Sequence, residues 1–496
     1  MVANIPQSLK RHIKSISADD VEMDFSLHKL TRLQKLGNGI ADAEKLLVRL
    51  RPGNKNRPIG FCVHLSNERA PENRSAHTLW MQDRNAGIPN DPYCKGIPNR
   101  VSYQASRDLS RHLSRGFISL DNTYNSISTW LGGLGTRCVV CGARQGVHLK
   151  RPTTCNLPEC KALFKEANYE IHVRDIWTNT ASIDLLISAI CAISEEPSNN
   201  QRLMQPRGRI RRGYGMPDVS VRSPEIGTKF LKVCPISEPT ELRELLDRIP
   251  PMKQFSRHLN QTMTRKGSEF RFDEYMEQFL YRQSSRGFLL AKTLTWVCSS
   301  YEGFLTPVND KYRIHGFGNC PQFLLANAPL KAEQRFAKHF HAAKGRSFVL
   351  FHGTKLSRLH SILRTGLQVC SGTSLETHGA GGGAGIYLSP EPEFSSMYAI
   401  QFPWGGSPAW KNSAFADHGA LLACEVVASA SEIPKKARSS SENPLLAPEI
   451  IIKDPARVIV RYVILVGGHY YGMQAPAHDV VPHFKKAFRK LRSAEW

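Results

Sequence analysis

From Phe348 onward the chain is written in short apolar runs, "FVLF", "GIYLS", "LLACEVV", "EIII" and "VIVRYVILV", separated by connections rich in Gly, Ser and Pro. Runs this short, rich in β-branched and aromatic residues and bounded by breakers, read as strands. The first of them ends in His-Gly-Thr and leads into "LSRLHSILRTG", which puts Leu356, Leu359, Ile362 and Leu363 on one helical face before Gly366 stops it. The pattern predicts an α+β unit with a mainly antiparallel sheet. Ahead of it, from about residue 220 to 340, "ELRELLDRIPP", "FDEYMEQFLYRQ" and "AEQRFAKHFHAA" predict a mostly helical stretch.

The 496 residues are too many for one ordinary domain. The apolar share of 41% is enough to build a sizeable core. Near the N-terminus "IADAEKLLVRLRP" predicts a helix stopped by Pro52, and no internal repeat is found. Residues 1–130 receive no function. "ASIDLLISAICAIS" has the spacing of a buried helix. No apolar run reaches the about 20 residues that span a membrane, and the N-terminus lacks the apolar core of a secretory signal. An intracellular protein, nuclear or cytoplasmic, is expected.

Lys and Arg outnumber Asp and Glu by 66 to 43, a net charge of +23 that favours anionic partners. The five arginines of "NNQRLMQPRGRIRRGYGMPD", 199–218, could grip phosphates, although such runs are more often solvated loops. Nucleic acid is therefore an open partner.

Twelve cysteines in an intracellular chain are expected to be reduced or metal-bound. "CVVCGARQGVHLKRPTTCNLPEC" sets Cys138 and Cys141 as one close pair and Cys155 and Cys160 as a looser one. Two such pairs can surround one structural Zn²⁺ in a small zinc-ribbon-like module. The alternatives are four ordinary buried cysteines or a redox pair. His148, between the pairs, is expected at the surface, with replacement of one sulfur as the lesser alternative.

The run "GAGGGAG" lacks the Gly-Lys-Ser/Thr ending of a P-loop and feeds an extended "IYLSP", so neither a P-loop nor a dinucleotide-binding turn fits. Taken together, "FHGT" at 351–354, "HSILRTGL" at 360–367, "GIYLS" at 385–389, "SSMY" at 395–398 and the closing "RVIVRYVILVGG" resemble the catalytic domain of the poly(ADP-ribose) polymerase family. The likeness is greatest to the branch that transfers single ADP-ribose units and carries a four-cysteine motif upstream. It covers roughly residues 130–496 and is most specific over 348–400.

The resemblance implies an ADP-ribosyltransferase-like domain with a split sheet and NAD⁺ as ADP-ribose donor. His352 would bond the adenine-side ribose. The Gly353 backbone would hold the nicotinamide carboxamide, assisted by Ser395, and Tyr387 and Tyr398 would sandwich the ring. His352, Tyr387 and Glu449 would form the family's His-Tyr-Glu triad. Thr354 stands where serine is common and keeps the hydroxyl, while "GAGIY" lacks the lysine often found in "GKGIY". The implied organisation is 1–130 unassigned, 131–170 the Cys₄ module, 171–300 a helical segment with the basic linker, and 301–496 the catalytic domain. Partners would be acceptor proteins, the chain itself among them. Two rival readings are an inactive NAD- or ADP-ribose-binding scaffold and a nucleic-acid-binding zinc protein with an accessory transferase domain.

Overall fold

The computed structural model of the chain describes residues 7, 9–15, 21–40, 43–51, 60–66, 101–102, 104–106, 109, 120–167, 169–194, 235–236, 239–266, 270–280, 285–371, 383–399, 410–415, 418–429, 432–433, 449–467 and 477–492. The basic run 199–218 and most of "GAGGGAG" lie outside them. The chain divides into two compact units, Met1–Arg174 with Lys266–Glu269 and Ala494–Trp496, and Asp175–Arg265 with Phe270–Ser493.

The first unit contains a four-stranded antiparallel sheet in chain order: β1 (Ile13–Ser15), β2 (Val21–Ser26), β3 (Lys45–Arg51) and β4 (Gly60–Leu65). Helix α1 (Arg32–Asn38) joins β2 to β3, opened by a capping box between Thr31 and Gln34. Helix α2 (Leu120–Gly132) adds Ile127 and Trp130 to the core formed by Met23, Phe25, Leu46, Val48 and Leu50. The helix expected over "IADAEKLLVRLRP" is corrected here, because Lys45–Arg51 is a strand. Its alternate residues Leu46, Val48 and Leu50 are buried, and partners on both edges satisfy its backbone. Helix α3 (Pro158–Ala167) closes the cysteine module, and α4 (Tyr169–Thr178) follows.

The second unit is α+β, as expected. Its helices are α5 (Thr180–Ser194), α6 (Pro239–Leu246), α7 (Met252–Lys266), α8 (Phe272–Phe279), α9 (Ser285–Ser299), α10 (Leu330–Ala342), α11 (Leu356–Thr365), α12 (Pro392–Ser396) and α13 (Ala477–Arg492). Strands β5 (Phe304–Pro307), β6 (Gln322–Asn327), β7 (Phe348–Thr354), β9 (His418–Val426) and β11 (Val458–Gly467) form an antiparallel sheet in the order β5-β6-β11-β9-β7. A second, two-stranded sheet pairs β8 (Ile386–Leu388) with β10 (Ile450–Ile452). The stretch to residue 340 is thus less uniformly helical than its pattern implied, since β5 and β6 fall within it. All six residues of β6 are buried, so neither face of that strand carries the alternation that marks a half-exposed one.

Register assigns the faces of the large sheet. Phe351, Ala423, Tyr462 and Leu324 are cross-strand neighbours, and so are His352, Leu422, Val463 and Phe323. Successive residues of a strand point to opposite faces. The Phe351 face meets α13, whose Phe484 packs edge-on against Phe351 and Tyr462 at 5.6 and 5.2 Å. The His352 face meets the 410–415 turn through Phe323 and Phe415. That turn is clasped to α5 by buried Asp184, which accepts bonds from the Ser413 hydroxyl and the Ala414 N–H. Burial raises the Asp184 carboxyl above its ordinary value against the opposing pull of these donors.

A break in the β9–β11 register leaves Arg461 as an extra residue between Val460 and Tyr462. Such a bulge re-aims a side chain. Here it directs Arg461 to buried Glu425 at 3.1 Å and to Glu333 of α10 at 2.7 Å. Arg492, at the end of α13, also bonds Glu425 and lies 4.2 Å from the Phe340 ring of α10. Two carboxylates and two guanidiniums therefore balance one another while joining α10, α13 and the sheet.

Candidate active site

Strand β7 is an edge strand, and its free edge is where the second sheet meets the first. Phe351 exchanges backbone bonds with Ser389, just past β8, at 2.7 and 2.9 Å. Backbone groups in a strand address alternate edges, so the N–H and C=O of Gly353, two residues on, point to the same open edge as those of Phe351. Beside them, His352 Nδ1 lies 2.8 Å from the Tyr387 carbonyl. A carbonyl can only accept, so Nδ1 carries the proton.

Tyr387 is paired across β8–β10 with Ile451, which places Glu449 at the entry to β10 on the same small sheet. The Tyr387 hydroxyl donates to the Gly383 carbonyl at 2.7 Å. Tyr398 follows α12 by two residues and packs edge-on against Phe394 at 5.6 Å. Burial, together with the Glu449 carboxylate, raises the Tyr398 phenol above its ordinary value, which places exposed Glu449 within electrostatic reach of Tyr398.

Two glycines allow α12 and the turn after it to lie directly on the strands. A Cβ on Gly353 would stand 1.7 Å from the Ser395 carbonyl oxygen, and one on Gly419 would stand 1.8 Å from that of Ala399. Both are far inside van der Waals contact, so only hydrogen fits. Ser395 is buried, and its hydroxyl donates to the Phe351 carbonyl at 3.0 Å. Its lone pairs can therefore accept from a ligand N–H. Thr354 is buried at the end of β7 on the same face as His352.

The fold thus brings His352, Gly353, Tyr387 and Ser395 to one strand junction, with Tyr398 just after α12 and Glu449 at the entry to β10. The sequence reading named all of them. It did not foresee the Ser389 bridge, the Arg461 bulge or the Asp184 clasp. A lone arginine inside the apolar "VIVRYVILV" was the visible sign of the bulge.

The other candidate centre is in the first unit. The sulfurs of Cys138, Cys141, Cys155 and Cys160 all lie within 4.8 Å of one another. Those of Cys141 and Cys155 are 3.8 Å apart, the edge length, about 3.8 Å, of a tetrahedron with Zn–S bonds near 2.3 Å. Burial pushes the Cys138 thiol up, but the N–H groups of Cys141, Cys155 and Val140 at 3.5, 3.1 and 3.4 Å outweigh it and bring it down to about 7. The donor set and its spacing fit a tetrahedral thiolate-bound metal. Of the expected ribbon, the described residues contain only the isolated bridge Arg137–Arg144, and the fourth cysteine sits on α3. His148 is half-buried rather than on the surface, and it stands outside the four-sulfur group.

No protein-family model matches the chain. The chain is similar to a mono-ADP-ribosyltransferase. It is 29% identical over 280 residues to the protein mono-ADP-ribosyltransferase PARP8 of Mus musculus, and equally to that of Homo sapiens. The match takes in 54% of this chain and spans 28% of the length of each relative. Among the described residues no helix is long and apolar enough to cross a membrane.

Proposed function

We propose that the second unit is an ADP-ribosyltransferase domain of the poly(ADP-ribose) polymerase type that moves single ADP-ribose units from NAD⁺ to protein side chains. The observation that carries this reading is the junction of β7, β8 and β10, where the open Gly353 edge, a histidine oriented by the Tyr387 carbonyl and the Ser395 hydroxyl meet. The likeness to mono-ADP-ribosyltransferases supports it.

In this reading the N–H and C=O of Gly353 bind the nicotinamide carboxamide, and the Ser395 hydroxyl accepts from its NH₂ group. Tyr387 and Tyr398 stack on the flat ring, a geometry favoured by the aromatic quadrupole. His352 Nε2 accepts from a hydroxyl of the adenine-side ribose, and Thr354 supports that wall. The glycosidic bond breaks with its electron pair leaving on nicotinamide, and the acceptor side chain bonds to the ribose carbon and gives up its proton. Positive charge develops on the ribose as the bond breaks, and Glu449 stabilises it. The cysteine quartet holds one structural zinc ion, and acceptors include the chain itself.

The test is Glu449→Gln, which keeps the shape and removes the charge. With labelled NAD⁺ and mass spectrometry of the protein, turnover should fall by about 10²–10³ while NAD⁺ binding is retained. Binding without transfer by the wild-type chain would favour the scaffold reading instead. Ladder-like products would overturn transfer of single units.

A further inference from the structure

Helix α10 and the turn after β10 form an open depression of about 290 Å³. Arg335, Lys338 and His339 of α10, Gln368 after α11 and Asp454 line it. Asp454 is already engaged, by His339 at 3.2 Å and by the Ala456 N–H at 2.9 Å. Arg335 and Lys338 are exposed and have no ion-pair partner among the described residues. The cavity therefore presents an excess of positive charge and a side-chain amide, a donor set suited to a phosphate group. Its volume lies just below the range of ligand pockets, about 300–1,000 Å³, enough for a phosphate and part of its sugar.

The positive charge continues beyond the cavity. Lys331, Arg335 and Lys338 follow one exposed stripe of α10, and Lys344 and Arg346 lie in the turn after it. Lys331 to Lys338 alone spans about 10 Å at 1.5 Å per residue. On α13, joined to α10 through Arg492 and Phe340, Lys485, Lys486 and Arg489 are also exposed. A single small anion needs only the cavity. Cations extending away from it match a ligand with repeated charges.

We propose that this surface binds the phosphate backbone of single-stranded nucleic acid, with one phosphate seated between Arg335 and Lys338. A strand of phosphodiesters fits better than an acidic peptide, because the cavity combines a guanidinium fork, an ammonium and an amide around a space with room for a phosphate and part of its sugar. Its lining residues are separate from those assigned to NAD⁺ and its binding needs no NAD⁺, so it stands or falls apart from the transferase reading.

The experiment is fluorescence anisotropy of the full chain with a labelled 20-nucleotide single-stranded RNA, without NAD⁺, over a salt series. The pair Arg335→Gln/Lys338→Gln is compared with Lys253→Gln/Arg257→Gln, which removes the same charge from exposed positions of α7. Circular dichroism and thermal midpoints establish that both remain folded. The α10 pair should weaken binding and reduce the slope of log K against log salt by about 0.7, the value for one phosphate contact on a single strand. The α7 pair should leave the slope nearly unchanged. Equal slope changes in the two variants would show a net-charge effect and overturn the site. So would an unchanged slope in the α10 pair, no RNA binding by the wild type at low salt, or tighter binding of poly-glutamate than of RNA.

Discussion

Gly353→Ala tests how the strand junction is built, because it adds one methyl group where two backbones meet. The new Cβ would fall 1.7 Å from the Ser395 carbonyl oxygen, whereas ordinary contact begins near 3.4 Å. Neither partner is the end of a flexible side chain. Strand β7 is held on one edge by β9 and on the other by the Ser389 bridge, so α12 and the turn carrying Tyr398 must shift by well over ~1 Å. Overpacking of this kind costs about 1–3 kcal/mol of stability. The chemical effect should be larger, because misplacing a reacting group by ~1 Å costs about 10²-fold in rate. Here Ser395 and Tyr398 move away from the Gly353 edge together. Transfer from labelled NAD⁺ should therefore fall at least ~10²-fold in a protein that still unfolds cooperatively in urea. The refuting result is wild-type turnover and a wild-type urea midpoint. It would mean that α12 does not lie on β7 as described and that Ser395 has no positioning role.

Purified, reduced protein should carry about one zinc by metal analysis, and Cys138→Ser should lose it together with much of the first unit's thermal stability. Arg461→Met leaves Glu333 without its guanidinium and Glu425 with Arg492 and the Ser347 hydroxyl, so unfolding in urea should lose about 3 kcal/mol, the lower end for a broken buried pair; a loss below about 1 would refute the assigned role of the bulge. Arg457 bonds Glu432 through both nitrogens at 2.9 and 2.6 Å and, as the chief cause, lowers that carboxyl from 4.5 to about 2. Because the folded-state value is depressed, the pair's stabilisation is present above pH 4.5 and lost as pH falls toward 2. The pair is partly solvent-exposed, so Arg457→Gln should cost only ~1 kcal/mol at pH 7. The difference from wild type in thermal midpoint should shrink from about pH 4.5 downward.

How much could be read from the chain followed from how local each determinant is. Strands β7, β8, β9, β10 and β11 were legible because each is an apolar run cut off by breakers, and the helix "LSRLHSILRTG" because its leucines share one face. The misreading of Lys45–Arg51 has an equally local cause. Leu46 and Leu50 are four residues apart, which suits a helix, while Leu46, Val48 and Leu50 alternate, which suits a strand. Pairing with β2 on one edge and β4 on the other decided between them. Strands β5 and β6 were missed because they are short and lie between strongly helical segments.

The sequence by itself determined the residue types of the candidate site and the spacing of the four cysteines, since both are properties of short stretches. Tertiary structure alone decided how those stretches meet. It brought Glu449 to the small sheet that carries Tyr387, from a different part of the chain, through the pairing of β8 with β10. It turned Arg461 inward by one unpaired residue and let Ser395 touch β7 through the missing side chain of Gly353. Each of these depends on register between distant segments, and register is set by burial and backbone pairing across the whole sheet rather than by any single window of the chain.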